Sequence, residues 1–78
     1  MTIYTAHYKD TLTKTFEHRD DARVFLLDET LEAFQIAADK IANVTGLETE
    51  LNDCNESIGR YGYGYFLGYY YGIDNAGR

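Results

Sequence analysis

The chain has no proline and one cysteine, Cys54, among its 78 residues. A single cysteine excludes a disulfide within the chain and fits a reducing compartment. His7, His18 and Cys54 are the only soft ligands and show no ligand spacing, so no structural zinc and no other cofactor is expected. Basic residues are scarce: seven Lys and Arg face thirteen Asp and Glu, for a net charge of −6. That balance argues against direct nucleic-acid binding, which draws its affinity from Lys and Arg neutralising phosphates. It favours a basic partner, steered in by charge. No stretch approaches the roughly 20 apolar residues of a membrane span. The opening "MTIYTAHYKD" lacks a basic stretch followed by an apolar run, so no signal peptide is expected, and the protein is expected to be soluble and cytoplasmic.

Catalysis finds little support. It needs an activated nucleophile or an acid–base pair held in a cleft. His7 falls in a predicted strand and His18 near a predicted helix start. Cys54 sits beside Asp53 and Glu56, whose negative charge raises a thiol pKa. A single domain spanning residues 1–78 buries only roughly 60% of its unfolded surface. Good packing or a partner subunit, a homodimer among the options, must supply the rest.

"TIYTAHYK" is rich in β-branched and aromatic residues and predicts a strand. "LTKTFE" predicts a second, joined to the first by a turn at Asp10 and Thr11. From about Asp20 to Val44 the apolar residues Val24, Leu27, Leu31, Phe34, Ala38 and Ile41 recur every three or four positions. This is one apolar stripe of a long helix, with Asp20 and Asp21 at its positive end and Gly46 as its stop. "LETELND" alternates and predicts a third strand, "DCNESIG" a loop, and "DNAGR" a loose tail. The expected fold is α+β, a small antiparallel sheet in the order β-β-α-β-β with one long amphipathic helix on one face.

The segment "RYGYGYFLGYYYGI", Arg60–Ile73, predicts the last strand. A helix would carry four glycines at roughly 1 kcal/mol each, whereas Tyr favours strands. Alternation puts Tyr61, Tyr63, Tyr65, Leu67, Tyr69, Tyr71 and Ile73 on one face and mostly glycine on the other. A glycine face lets a helix or a partner sit low on the sheet. Three uses are open for the tyrosines: core packing with cross-strand aromatic pairs, an aromatic binding face, or an edge for self-association. A nucleotide-stacking platform would need basic flanks.

The helix carries a second pattern. Asp21, Asp28, Glu32 and Asp39 fall within roughly 40° of one another at about 100° per residue, beside Phe25 and Ile36. Carboxylates next to large apolar side chains suit an interface; a solvated face with Phe25 and Ile36 under the hairpin is the alternative. The candidate partner-binding residues are therefore Asp21, Phe25, Asp28, Glu32, Ile36, Asp39, Tyr61, Tyr63, Tyr65, Tyr69 and Tyr71.

With its "TIYTAHYK" strand, its "LDETLEAFQIAADKIA" helix, its aromatic final strand and its acidic charge, most of the chain resembles in outline the small acidic inhibitors that phages encode, anti-CRISPR proteins included. Folds in that group differ, and no functional residue is carried over. The resemblance implies a protein that blocks a basic, often nucleic-acid-binding, surface of a host defence protein or protein–nucleic-acid complex in the host cytoplasm. The other expectation is a structural subunit that pairs through the Tyr-Gly strand.

Overall fold

The computed structural model describes residues 3–75. Two strands, β1 (Tyr4–Tyr8) and β2 (Leu12–Phe16), are followed by two helices, α1 (Arg19–Ala38) and α2 (Thr45–Tyr61). Two more strands, β3 (Tyr63–Phe66) and β4 (Tyr69–Asn75), close the order β-β-α-α-β-β. The strands form one antiparallel sheet in the order β2-β1-β4-β3. The fold is α+β as expected, but the expected β-β-α-β-β order with a single helix is corrected.

The correction lies at residues 45–61. Leu47 and Leu51 are four apart, a spacing that both a strand and a helix accommodate. Cys54 and Ile58 continue it at intervals of three and four, and all four are buried on one side of α2. The "LETELND" strand and the "DCNESIG" loop are thus one helix. The Asn43 side chain accepts the Thr45 N–H at 3.0 Å and starts it. Gly62, at φ 86°, ends it in the left-handed cap conformation. α1 is a single unbroken helix, and it stops at Ala38, before Val44.

The Tyr-Gly segment is a hairpin rather than one strand. Leu67 and Gly68 both have positive φ, 53° and 82°, which turns the chain in two residues with a twist that matches the strands. Leu67 holds a conformation that costs a side-chain-bearing residue roughly 1–2 kcal/mol. Its N–H donates to Glu50 Oε2 at 2.6 Å.

Both helices cover the same sheet face, α1 over β1, β2 and β4, and α2 over β3. The core between the layers holds Ala6, Ala22, Leu26, Ile58, Phe66 and Tyr71, all without solvent exposure. α2 approaches closely where Gly64 is bare: a Cβ there would meet the Cys54 carbonyl oxygen at 2.8 Å. The expectation that glycine lets a helix sit low on the sheet holds at this position. Inside the helical layer, the Thr30 hydroxyl lies 2.9 Å from Asn55 Oδ1 and 3.0 Å from the Leu27 carbonyl, tying α1 to α2.

The buried side of α1 is Ala22, Leu26 and Thr30, with Ala33 and Ala37 beside them. The stripe expected to face the core points elsewhere: Val24 is 48% exposed and Leu31 45%, and Ile41 lies beyond the helix end. α1 is apolar on two sides. The side with small residues faces the sheet because it permits the close approach.

Candidate functional site: two separate surfaces

The helical surface comes first. Asp21, Asp28, Glu32 and Asp39 are all exposed. Among the described residues none of them has a cation within ion-pair distance; the pairs that form are His7–Asp74, Lys9–Glu29, Arg23–Asp20 and Arg60–Glu56. The row is therefore an uncompensated line of negative charge. Ile36, on one flank, is 53% exposed. Phe25, on the same flank, is not available: its ring meets Tyr8 edge-on at 4.9 Å and Phe16 at 5.4 Å, and Lys14 Nζ lies 5.0 Å from its centroid. The β1–β2 hairpin covers it. On the other flank stand Val24 and Leu31, which periodicity had assigned to the core.

The tyrosine surface lies on the opposite side of the sheet. A two-residue turn reverses which parity faces the core. Tyr63 and Tyr65 of β3 point outward, but across the turn Tyr65 pairs with Tyr70 and Tyr63 with Gly72. The outward tyrosines are thus Tyr63, Tyr65 and Tyr70, with Tyr61 just before them. Tyr61 is 67% exposed and Tyr65 63%. Tyr63 stacks with Tyr70 at 6.3 Å, and Tyr65 meets Tyr70 edge-on at 5.4 Å, while Tyr70 lies over bare Gly72. Burial, then the charge of Asp74 and the neighbouring phenols, raises the Tyr70 pKa. His7 Nε2 and Asp74 Oδ2, 2.8 Å apart, extend the same face across β1 and β4.

Tyr71 is a correction. It pairs with Gly64 on the core side and has no exposure, so it anchors no partner. Its hydroxyl has no hydrogen-bond partner among the described residues. Burial, with smaller contributions from Cys54, Glu29 and others, pushes its pKa up to about 12. Tyr69 faces the helix side too but stays partly exposed. It meets Ile36 in a groove of about 380 Å³ at the hairpin tips, with Lys9 and Lys40 at its walls. That groove joins one expected residue from each half of the site; the rest of the carboxylate row and the outward tyrosines occupy opposite layers.

Burial, then the nearby Glu50 carboxylate, pushes the Cys54 thiol up to about 11. It stays protonated at neutral pH and is a poor nucleophile. Among the described residues no three His, Cys, Asp or Glu side chains gather as metal ligands, and no helix is long and apolar enough to cross a membrane. No family model, curated protein or solved structure matches the chain.

Tyr70, Val24 and Leu31 are surface residues that sequence reasoning missed. The Leu67-Gly68 turn is the signal for Tyr70, since it resets the alternation. For Val24 and Leu31 the signal is the competing stripe Ala22, Leu26, Thr30, Ala33 and Ala37, which fits a close-packed helix better.

Proposed function

We propose that this protein is a non-enzymatic binding domain that occupies a basic surface of another protein, in the manner of a phage-type inhibitor acting in the host cytoplasm. The supporting observation is the α1 row of four exposed carboxylates without cation partners among the described residues, flanked by exposed Ile36, Val24 and Leu31. Carboxylates so arranged would take the Arg and Lys positions that otherwise hold phosphates, and the apolar flanks would exclude water from the contact. A nucleic-acid-binding surface of a defence protein, free or already on its nucleic acid, has that chemistry. The tyrosine face lies on the other layer, so it does not reinforce the same contact and would serve a second one.

The alternative, assembly through the Tyr-Gly strand, draws less support. β3 is an edge strand, but its Tyr63 carbonyl already accepts the Ser57 hydroxyl at 2.6 Å. The Glu50 side chain occupies the Leu67 N–H at its end. Such cover blunts an edge.

The test compares the wild type with the Asp28→Lys/Glu32→Lys double variant in pull-downs from a bacterial lysate at low and high salt, read by mass spectrometry. A basic protein retained by the wild type, released by salt, and bound more than roughly tenfold more weakly by the variant supports the reading. Retention of the same proteins by both forms refutes it.

A further inference from the structure

We infer that the partner presents an amphipathic helix with one row of Lys or Arg, and that this helix lies along the outer side of α1. The inference rests on the basic-partner reading and specifies the shape of what binds. Val24, Leu27, Leu31, Phe34 and Ala38 are spaced three, four, three and four apart. That is the alternation of a coiled-coil seam, in which each side chain fits between residues of a facing helix. Within α1 these five positions fall in roughly 80° of arc at about 100° per residue. The seam is half-open: Val24 and Leu31 are 48% and 45% exposed, Leu27 is half-buried, and Phe34 and Ala38 pack partly against the core. α2 and the core cover one edge of the stripe, and the Val24–Leu31 edge needs a second cover.

Charge selects the occupant. Asp21, Asp28 and Asp39 run beside the seam, on the side away from α2. A second copy of this chain carries the same net charge of −6 and, placed antiparallel seam to seam, would bring two such rows together, which disfavours it. A helix with Lys or Arg next to its apolar seam would match both rows at once. Helix-in-groove recognition uses such periodic anchors, and the 20 residues of α1 offer about 30 Å of contact length.

The experiment uses the full chain and three synthetic peptides of about three heptads. The first is helical, with Leu at the seam positions and Lys beside them. The second carries the same number of Lys on a Gly/Ser backbone. The third is the first with Glu in place of Lys. Affinity is measured by anisotropy and the site by amide shift mapping. The first peptide is expected to bind with shifts along residues 21–38. Leu31→Gln, an exposed position, should weaken it roughly tenfold; Asp28→Asn should weaken it roughly fivefold; Tyr65→Ser should leave it unchanged. Equal binding of the second peptide overturns the helix inference and leaves the basic-partner reading standing. Equal binding of the third overturns the charge selection, and with it the basic-partner reading. No binding of the first two, or shifts confined to the tyrosine face, overturns both. Concentration-dependent broadening of the Val24 and Leu31 signals without peptide gives the seam to a second copy and overturns the inference.

Discussion

Replacing Gly64 by Ala tests the contact on which the helix–sheet packing depends. The added Cβ would lie 2.8 Å from the Cys54 carbonyl oxygen, 3.2 Å from Cys54 Sγ and 3.4 Å from Cys54 Cα. Ordinary contact begins at 3.4 Å, so α2 must withdraw by about 0.6 Å (3.4 − 2.8). The obstacle is backbone, which cannot swing aside like a side-chain end. Leu51 and Ile58 share the buried side of α2 with Cys54 and would move with it. A gap of about 0.5–1 Å forfeits a quarter to a half of each affected contact. Overpacking of this kind costs about 1–3 kcal/mol. The lost chain entropy of glycine offsets about 0.5–1 kcal/mol. The net expectation is a loss of about 1–1.5 kcal/mol, which lowers the melting temperature by roughly 5–10 °C in a domain of this size. Gly59→Ala is the control. Gly59 lies within α2, and none of the described residues stands within 4 Å of its Cβ position. Alanine there should gain about 0.5–1 kcal/mol from helix propensity. Thermal unfolding by circular dichroism reads both variants. If Gly64→Ala melts with or above the wild type, α2 does not sit against β3 in this way and the packing argument fails.

Three further substitutions probe other parts of the fold. Tyr71→Phe removes a buried hydroxyl that has no partner among the described residues, so denaturant unfolding should show it neutral or up to about 1 kcal/mol more stable; a loss above that would mean the hydroxyl is satisfied. The same variant has a pH signature: Tyr71 titrates near 12 when folded but near 10 when unfolded. Its contribution is therefore complete below about pH 10 and is lost as pH rises toward 12, a slope that the Phe variant should lack. Thr30→Val leaves Asn55 without its buried partner and should cost about 1–2 kcal/mol, much of it recovered in Thr30→Val/Asn55→Leu; additive losses would show that the two groups are uncoupled. Leu67→Asn suits the left-handed first position of the β3–β4 turn and should raise stability by about 1 kcal/mol in the same assay, an unchanged value refuting strain at that residue.

Much of the fold was legible where one pattern had one interpretation. The β1–β2 hairpin and a helix starting near residue 20 followed from β-branched content and periodicity, as did the strand character of the Tyr-Gly segment but not its hairpin. Where two patterns overlapped, local reasoning lacked the deciding fact. Leu47 and Leu51 satisfy both periods, and only the continuation through Cys54 and Ile58 selects a helix. α1 carries two apolar stripes, and the one with the larger residues is the stronger pattern in the sequence. The tight fit of α2 at Gly64 shows what the sheet favours, a small-residue approach, and Ala22, Ala33 and Ala37 provide it on α1. The tyrosines show the same limit: alternation is sound within a strand, but a two-residue turn at Leu67-Gly68 reverses it, sending Tyr71 inward and Tyr70 outward.

The reversed parity also constrains function. An unbroken strand would have put every odd-numbered tyrosine on one face. The hairpin divides them, with Tyr69 and Tyr71 on the helix side and Tyr63 and Tyr65 joined by Tyr70 on the other, and the two-layer fold keeps that outer face apart from the α1 carboxylates. Four carboxylates and an apolar seam remain on the outer side of α1, while Tyr61, Tyr63, Tyr65 and Tyr70 cluster beneath the sheet. A single flat partner cannot reach both. On the proposed binding role, either one surface is idle or the protein bridges two contacts, and charge separates these cases. Contact through the α1 row must weaken steeply with salt, since its carboxylates have no cations of their own among the described residues. Contact through the tyrosines gains from apolar burial and should persist. A partner that survives high salt and is lost on Tyr65→Ser would belong to the sheet face, leaving the helix face free for another.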